Sequence, residues 1–104
     1  MLKYNIVFED SAENDLTDIF EYICTKLHEP EIAKRIYRTL KKDILSLETM
    51  PLRFALIDEE PYKSMGVRCI PIENYTAFYI ADETAKTVHI LRVLYNRRDW
   101  QAIL

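Results

Sequence analysis

Residues 87–95 read TVHILRVLY, a run in which apolar side chains occupy both alternating sets of positions near the middle. A strand that is apolar on both sides is typical of the centre of a sheet that is covered on both faces. Asn96 and Arg97 end the run. We therefore predict a central strand over residues 87–95, and the rest of the chain is interpreted around it.

Two β-rich segments precede this strand. Residues 76–81 are separated from it by the polar residues 82–86, which predicts a hairpin. Residues 67–72 predict another strand, joined to 76–81 by a turn at Glu73 and Asn74. Because Pro71 cannot donate a ladder hydrogen bond, it places this strand at an edge, a bulge or a strand end.

Two further segments alternate with the period of a strand. Residues 2–8 place Leu2, Tyr4, Ile6 and Phe8 on one side, which predicts an N-terminal strand with one buried face. Residues 54–57 predict a short strand before an acidic loop over 58–61.

The region between these strands has helical periodicity. The first helix begins at Asp10 or Ser11, where Glu13 predicts a capping box. Its apolar residues follow steps of three, four and one and form one buried stripe: Ala12, Leu16, Ile19, Phe20, Ile23, Cys24 and Leu27. Pro30 suits the first turn of a second helix, which ends before Pro51 and carries a basic outer face.

The element order β, α, α, β, β, β, β predicts an α+β fold, in which a helical hairpin packs on one face of a mainly antiparallel sheet. The other face would be open to solvent or to a partner. A length of 104 residues is enough for one core, so we predict a single domain over residues 1–104.

Composition excludes several function classes. The formal net charge of −3 argues against a protein whose affinity depends on neutralising many phosphates. Common hydrolase, metalloprotease and nucleotide-binding motifs are missing, and one glycine cannot line a phosphate-binding loop. The histidines and cysteines do not have the spacing of a metal site: His28, His89, Cys24 and Cys69. We therefore predict that the protein binds no metal and no cofactor. Both cysteines are predicted to be buried free thiols.

Targeting signals are also missing. No apolar stretch is long enough to cross a membrane, and the first residues lack the basic flank and apolar run of a signal peptide. We expect the protein to be cytoplasmic.

The chemistry-bearing residues concentrate in the late strands and the tail. Arg92 interrupts an otherwise apolar run, and Arg68 lies on a neighbouring strand. A guanidinium in a strand needs a carboxylate, an anion or solvent beside it. Two readings stay open: a structural pair between Arg92 and a helix carboxylate, or a site for an anionic or carboxylate-bearing partner. The candidate binding residues are Arg68, Arg92, Tyr95, Arg97, Arg98 and Trp100.

The chain resembles the RelE/ParE family of toxins from bacterial type II toxin–antitoxin systems. The resemblance covers practically the whole chain and is carried by AENDLTDIFEYI (12–23), PEIAKRIYRTLKKDILSLE (30–48) followed by MP, VRCIPIENYTAFYIADE (67–83) and VHILRVLYNRRDW (88–100). The ending RVLYNRRDW is closer to the ParE-like form. This resemblance implies a compact α+β toxin held inactive by an antitoxin encoded beside it.

The resemblance also implies two alternative activities. ParE-like members poison DNA gyrase and have no established catalytic residues. RelE-like members are metal-independent, ribosome-dependent endonucleases that cut messenger RNA, for which Arg68, Arg92 and Tyr95 would be the catalytic candidates. The ending and the acidic charge favour the gyrase activity. A degenerate member that only binds its antitoxin, with no activity of its own, is the third possibility.

Overall fold

The fold is built from four strands and three α-helices in a computed structural model that describes residues 3–96. Strands β1 (Asn5–Phe8), β2 (Val67–Ile72), β3 (Tyr75–Asp82) and β4 (Thr87–Tyr95) form one sheet in the order β1-β4-β3-β2. β1 runs parallel to β4, and the other neighbours are antiparallel. The predicted α+β class is confirmed, with β4 inside the sheet and the Pro71 strand at its edge.

The helical hairpin packs on one face of this sheet. Helix α1 (Asp10–Glu21) continues into a π-helical turn over Tyr22–Lys26, and α2 (Pro30–Leu45) begins with proline in its first turn, as predicted. The rings of Phe20 and Tyr37 meet edge to face, 5.9 Å apart, where the helices cross. Helix and sheet residues share the main core, which includes Leu16, Leu40, Ile44, Tyr79 and Ile90.

Helix α1 begins at Asp10, as predicted, but its cap differs from the prediction. Glu9 is the N-cap, but its side chain accepts no capping hydrogen bond. Its main-chain carbonyl accepts the first helical hydrogen bond from Glu13 N–H at 3.0 Å. Asp10 is already inside the helix. The predicted capping box is therefore wrong, because the chain enters the helix one residue earlier than its pattern requires.

The predicted strand over 54–57 is also wrong. Short 3₁₀ turns over Ser46–Glu48 and Pro51–Arg53 lead into an irregular segment that makes only one isolated bridge, between Leu56 and Arg68. This segment and helix α3 (Tyr62–Met65) place Ile57 and Tyr62 on the far face of the sheet, against Val67, Phe78 and Leu94. The face opposite the helices is thus partly covered by the chain itself.

Candidate partner-binding site

The guanidinium of Arg92 is bound by a helix carboxylate. Its Nε and Nη2 atoms donate to the two oxygens of Asp15 at 2.7 and 2.8 Å, and the side chains of Arg92 and Asp15 are only 24% and 11% exposed. The hydrogen bond to Asp15 raises the pKa of the guanidinium above its ordinary value. Of the two alternatives for Arg92, the structure therefore contains the structural pair with a helix carboxylate.

A bulge in β4 explains why Asp15 fits there. The β3–β4 register shifts between Phe78 and Tyr79, beyond the point where β1 ends opposite Ile90. Val93 N–H donates to Asp15 at 2.9 Å. The Asp15 carboxylate therefore lies beside β4 where a longer β1 would have paired. It accepts hydrogen bonds from the main-chain N–H of Val93 and from the charged guanidinium of Arg92.

Arg68 is anchored elsewhere. Its Nη1 donates to the carbonyl of Phe54 at 2.6 Å and to that of Leu52 at 3.3 Å. Tyr79, its partner across the β2–β3 ladder, donates its hydroxyl to Pro51 O at 2.6 Å and is fully buried. Burial raises the pKa of Tyr79 to about 12. Arg68 and Tyr79 together fasten the segment after α2 to the sheet.

Tyr95 lies apart from both arginines. Its ring tilts against that of Tyr75 with centroids 5.5 Å apart, and 41% of the residue is exposed. Burial, followed by the proximity of Tyr95, raises the pKa of the Tyr75 phenol. Arg97, Arg98 and Trp100 lie outside the described residues. The assignment of all six residues to partner binding stays a prediction.

A large apolar concavity of the described surface lies beside Tyr95. This helix-hairpin groove has a volume of about 780 Å³ and lies between the helical hairpin, the β2–β3 turn and the end of β4. Its walls are Asp18, Ile19, Tyr22, Ile23, Leu27, Ile32, Arg35, Ile36, Asn74, Tyr75 and Tyr95. Tyr22, Leu27 and Ile32 remain 57%, 51% and 44% exposed. An apolar patch of this kind is typical of a protein-binding surface.

The π-helical turn creates part of this groove. The sequence pattern places Leu27 in the buried stripe, but Leu27 is half exposed. A π turn adds a residue to the helical repeat and rotates the residues after it. The stripe predicted for an uninterrupted α-helix therefore ends at Cys24, which is half-buried against the core, and does not reach Leu27. The sequence analysis also did not identify Tyr22 and Ile32 as groove residues. Hydrophobic periodicity identifies the buried face of each helix, but not the grooves between helices.

Three other local features involve polar or reactive groups. His89 Nδ1 lies 2.9 Å from Glu9 Oε1, and Arg92 lines a hollow of about 290 Å³ with Tyr62 and Leu91 on the face opposite the helices. Both cysteines are free and half-buried, and burial raises the pKa of Cys69. Among residues 3–96, no three His, Cys, Asp or Glu side chains are grouped so as to hold a metal.

None of the helices within the described part of the chain is both long and apolar enough to span a bilayer.

A mainly antiparallel sheet under a helical hairpin, with two sheet arginines bound within the chain and an exposed apolar groove, defines a small α+β domain. Residues 6–100 match the family model of the ParE toxin of the type II toxin–antitoxin system parDE. The chain therefore belongs to the ParE toxin family, and the resemblance inferred from sequence is confirmed.

Solved structures show the same fold. The chromosomal ParDE toxin–antitoxin system of P. aeruginosa matches with a TM-score of 0.73 at 21% identity, covering 91% of this chain and 98% of that one. The RelBE2 toxin–antitoxin complex of Mycobacterium tuberculosis matches with a TM-score of 0.65 at 24% identity, covering 91% and 93%. The isolated RelE toxin of E. coli matches with 0.60 at 14%, covering 97% and 99%. Comparison with curated protein sequences gives no match.

Proposed function

We propose that this protein is a growth-inhibiting toxin that acts in the cytoplasm on DNA gyrase through protein contacts and is neutralised by a cognate antitoxin. The observation that carries the proposal is the match of residues 6–100 to the ParE toxin family. The exposed apolar groove supports it, because inhibition through protein contacts needs a binding surface and no catalytic group.

The antitoxin is the partner that we assign to the helix-hairpin groove. An apolar segment of the antitoxin would cover Tyr22, Leu27 and Ile32, whose burial is favourable on binding. Asp18 and Arg35 at the groove border would give that segment its orientation. Similar folds occur in the RelBE2 toxin–antitoxin complex and in the archaeal RelE–RelB complex from Pyrococcus horikoshii.

Cleavage of messenger RNA is the less favoured activity. It would require Arg68, Arg92 and Tyr95 to converge on one phosphate. Arg92 instead binds Asp15, Arg68 binds carbonyls of the segment after α2, and Tyr95 faces the groove. Because the three side chains make separate contacts, the geometry favours gyrase inhibition over metal-independent nuclease chemistry.

A supercoiling assay tests the gyrase proposal. Purified protein in micromolar excess should inhibit DNA gyrase or trap cleaved DNA. Groove variant Ile32→Glu and its control Leu45→Glu, on the same helix and at a similar exposure, should first be shown to be folded. Normal supercoiling at every concentration of the wild-type protein would count against gyrase as the target.

Primer extension on a translated message, with the same purified protein, tests the alternative activity of messenger RNA cleavage. Intact message together with gyrase inhibition is the expected result. Cuts near the ribosomal A site that disappear in a folded Arg92→Met variant would replace the proposal with the nuclease activity. If neither activity appears and expression without a partner leaves growth unimpaired, the chain is a binding-only member of its family.

Neutralisation is tested on plates. Expression of the chain alone should arrest growth, and coexpression of a short reading frame beside its gene should restore it. A toxic Ile32→Glu variant should escape this rescue, whereas Leu45→Glu should be rescued like the wild type. Rescue of both variants would remove the groove from the antitoxin interface.

A further inference from the structure

Charge is distributed unevenly between the two long helices. Helix α1 carries five acidic side chains and no basic one, whereas α2 carries five basic and two acidic side chains. The formal net charge of −3 therefore hides a helix that is positive. A close contact with a charged partner depends on the local field of one face and not on the net charge of the whole protein. The gyrase and antitoxin proposals make no use of the positive face of α2.

Four of the basic residues of α2 lie on one side of the helix. This basic stripe consists of Lys34, Arg38, Lys41 and Lys42, which follow one another at the three- and four-residue steps that keep side chains on one face. Lys41 is half-buried, and the other three residues are exposed. The helix rises by about 12 Å from Lys34 to Lys42. The stripe is therefore a short row of cations that faces the solvent.

The carboxylates of the protein leave most of this stripe uncompensated. Glu31 lies 3.5 Å from the Lys34 ammonium, in an exposed pair that contributes little. Arg38 Nε donates to the main-chain carbonyl of Lys34 at 3.3 Å, a contact that does not neutralise the guanidinium. Within residues 3–96, no carboxylate forms an ion pair with Arg38, Lys41 or Lys42. Three of the four cations are thus open to an external anion.

A row of lysine and arginine side chains suits phosphates better than it suits a protein surface. Protein interfaces rely on apolar and aromatic residues at their centre and are depleted in lysine. Contacts to the backbone of a nucleic acid are made largely by lysine and arginine. One strand of duplex DNA carries a phosphate about every 3.4 Å along the axis, so a stripe about 12 Å long spans about three or four phosphates.

We propose that the basic stripe of α2 binds the phosphate backbone of duplex DNA, independently of the base sequence. Each cation would neutralise one phosphate, and the negative charge of the remaining surface would keep the contact short and the affinity low. A contact of this size agrees with the charge argument against a protein that neutralises many phosphates. The stripe shares no residue with the helix-hairpin groove, and the proposal does not depend on gyrase inhibition.

The salt dependence of DNA binding tests the proposal. A short fluorescein-labelled duplex is titrated with the intact chain at several salt concentrations and followed by fluorescence anisotropy. At low salt we expect a dissociation constant of about 10⁻⁴ to 10⁻⁶ M, and a slope of about −3 to −4 in a plot of log K against log salt. A duplex of unrelated sequence should bind within about twofold. No change in anisotropy at millimolar protein, or a preference above about tenfold for one sequence, would overturn the proposal.

Charge reversal locates the contact. Lys42 lies in the stripe and Lys26 in the π-helical turn, and both are exposed and unpaired within the described part of the chain. Lys42→Glu should weaken DNA binding by about tenfold or more, whereas Lys26→Glu, which makes the same change in net charge, should leave it within about twofold. Circular dichroism should first show that both variants are folded. Equal losses would show that net charge governs binding and would refute a site on α2.

Neutralisation counts the phosphates that the stripe contacts. The double variant Arg38→Gln with Lys42→Gln removes two cations and adds no negative charge. The slope of log K against log salt should become smaller in magnitude by about two. An unchanged slope would contradict the assignment of these two residues to phosphates.

Competition identifies the class of partner. Poly-L-glutamate, at the same concentration of charge, should displace the labelled duplex at least about tenfold less effectively than unlabelled duplex does. The reason is charge density, since DNA carries a charge about every 1.7 Å and an extended polypeptide at most one about every 3.3 Å. Equal displacement would identify an acidic polypeptide as the partner and overturn the proposal. Because gyrase is absent from all of these assays, their failure would not count against the gyrase proposal.

Discussion

Replacing Asp15 with alanine removes the carboxylate that joins α1 to the centre of the sheet. The change deletes three hydrogen bonds, two to the Arg92 guanidinium at 2.7 and 2.8 Å and one to Val93 N–H at 2.9 Å. It takes the Asp15 acceptor away from a partly buried cation and from a strand donor. We expect the free energy of unfolding to fall by about 3 kcal/mol, the lower end for a broken buried pair, because Arg92 can regain some water.

Urea unfolding followed by circular dichroism measures this loss. For a domain of this size, about 3 kcal/mol corresponds to a decrease in Tm of at least about 12 °C. A double-mutant cycle with Arg92→Met should give a coupling energy of about 2 kcal/mol between Asp15 and Arg92. The exposed Asp58, which pairs with Lys63 at 3.3 Å, provides the control, and Asp58→Ala should cost less than about 0.5 kcal/mol.

The Asp15→Asn variant separates the charge from the strand contact. Its side-chain oxygen can still accept from Val93 N–H, so it should be more stable than Asp15→Ala by about 1 kcal/mol. A coupling energy below about 0.5 kcal/mol between Asp15 and Arg92 would refute the reasoning.

Two further predictions concern the segment that the sheet holds in place. Tyr79→Phe should cost about 1–2 kcal/mol near neutral pH, because Pro51 O loses its donor. Since burial raises the folded pKa of Tyr79 from 10.0 to about 12, the neutral phenol contributes stability that is complete below pH 10.0 and is lost between 10.0 and about 12. Between pH 10.0 and about 12, the free energy of unfolding of the wild type should therefore fall by up to about 1.4 kcal/mol per pH unit more than that of Tyr79→Phe. Urea unfolding of both proteins at about pH 9 and about pH 11 measures this difference. Gly66→Ala should cost about 1 kcal/mol through backbone strain alone, because Gly66 has φ +81° and a Cβ there would meet no atom within 4 Å; an unchanged midpoint in urea would contradict this.

The fold was largely predictable because its main signals are local. The doubly apolar run over 87–95 identifies β4, and Pro30 marks the start of α2 without any knowledge of tertiary contacts. Residues 54–57 show the limit of that approach. Their alternation is compatible with a strand, but a strand needs a partner along its length, and only Leu56 makes a bridge to β2.

The candidate site was less predictable because it depends on distant contacts. Sequence indicates that Arg92 needs a carboxylate, an anion or solvent beside it. It does not select Asp15, since that choice depends on the bulge and on where β1 ends. The helix-hairpin groove joins four separate segments of the chain. The π turn that exposes Leu27 has no distinctive residue pattern in YICTK.

Calorimetric titration of the antitoxin into the wild-type chain, Ile32→Glu and Leu45→Glu tests the proposed groove most directly. A charge placed in the groove should weaken binding by about tenfold or more, because an unpaired carboxylate would be buried in the complex. The same charge at Leu45 should leave the dissociation constant within about twofold. Equal affinity of all three folded proteins would contradict the assignment of the groove to the antitoxin.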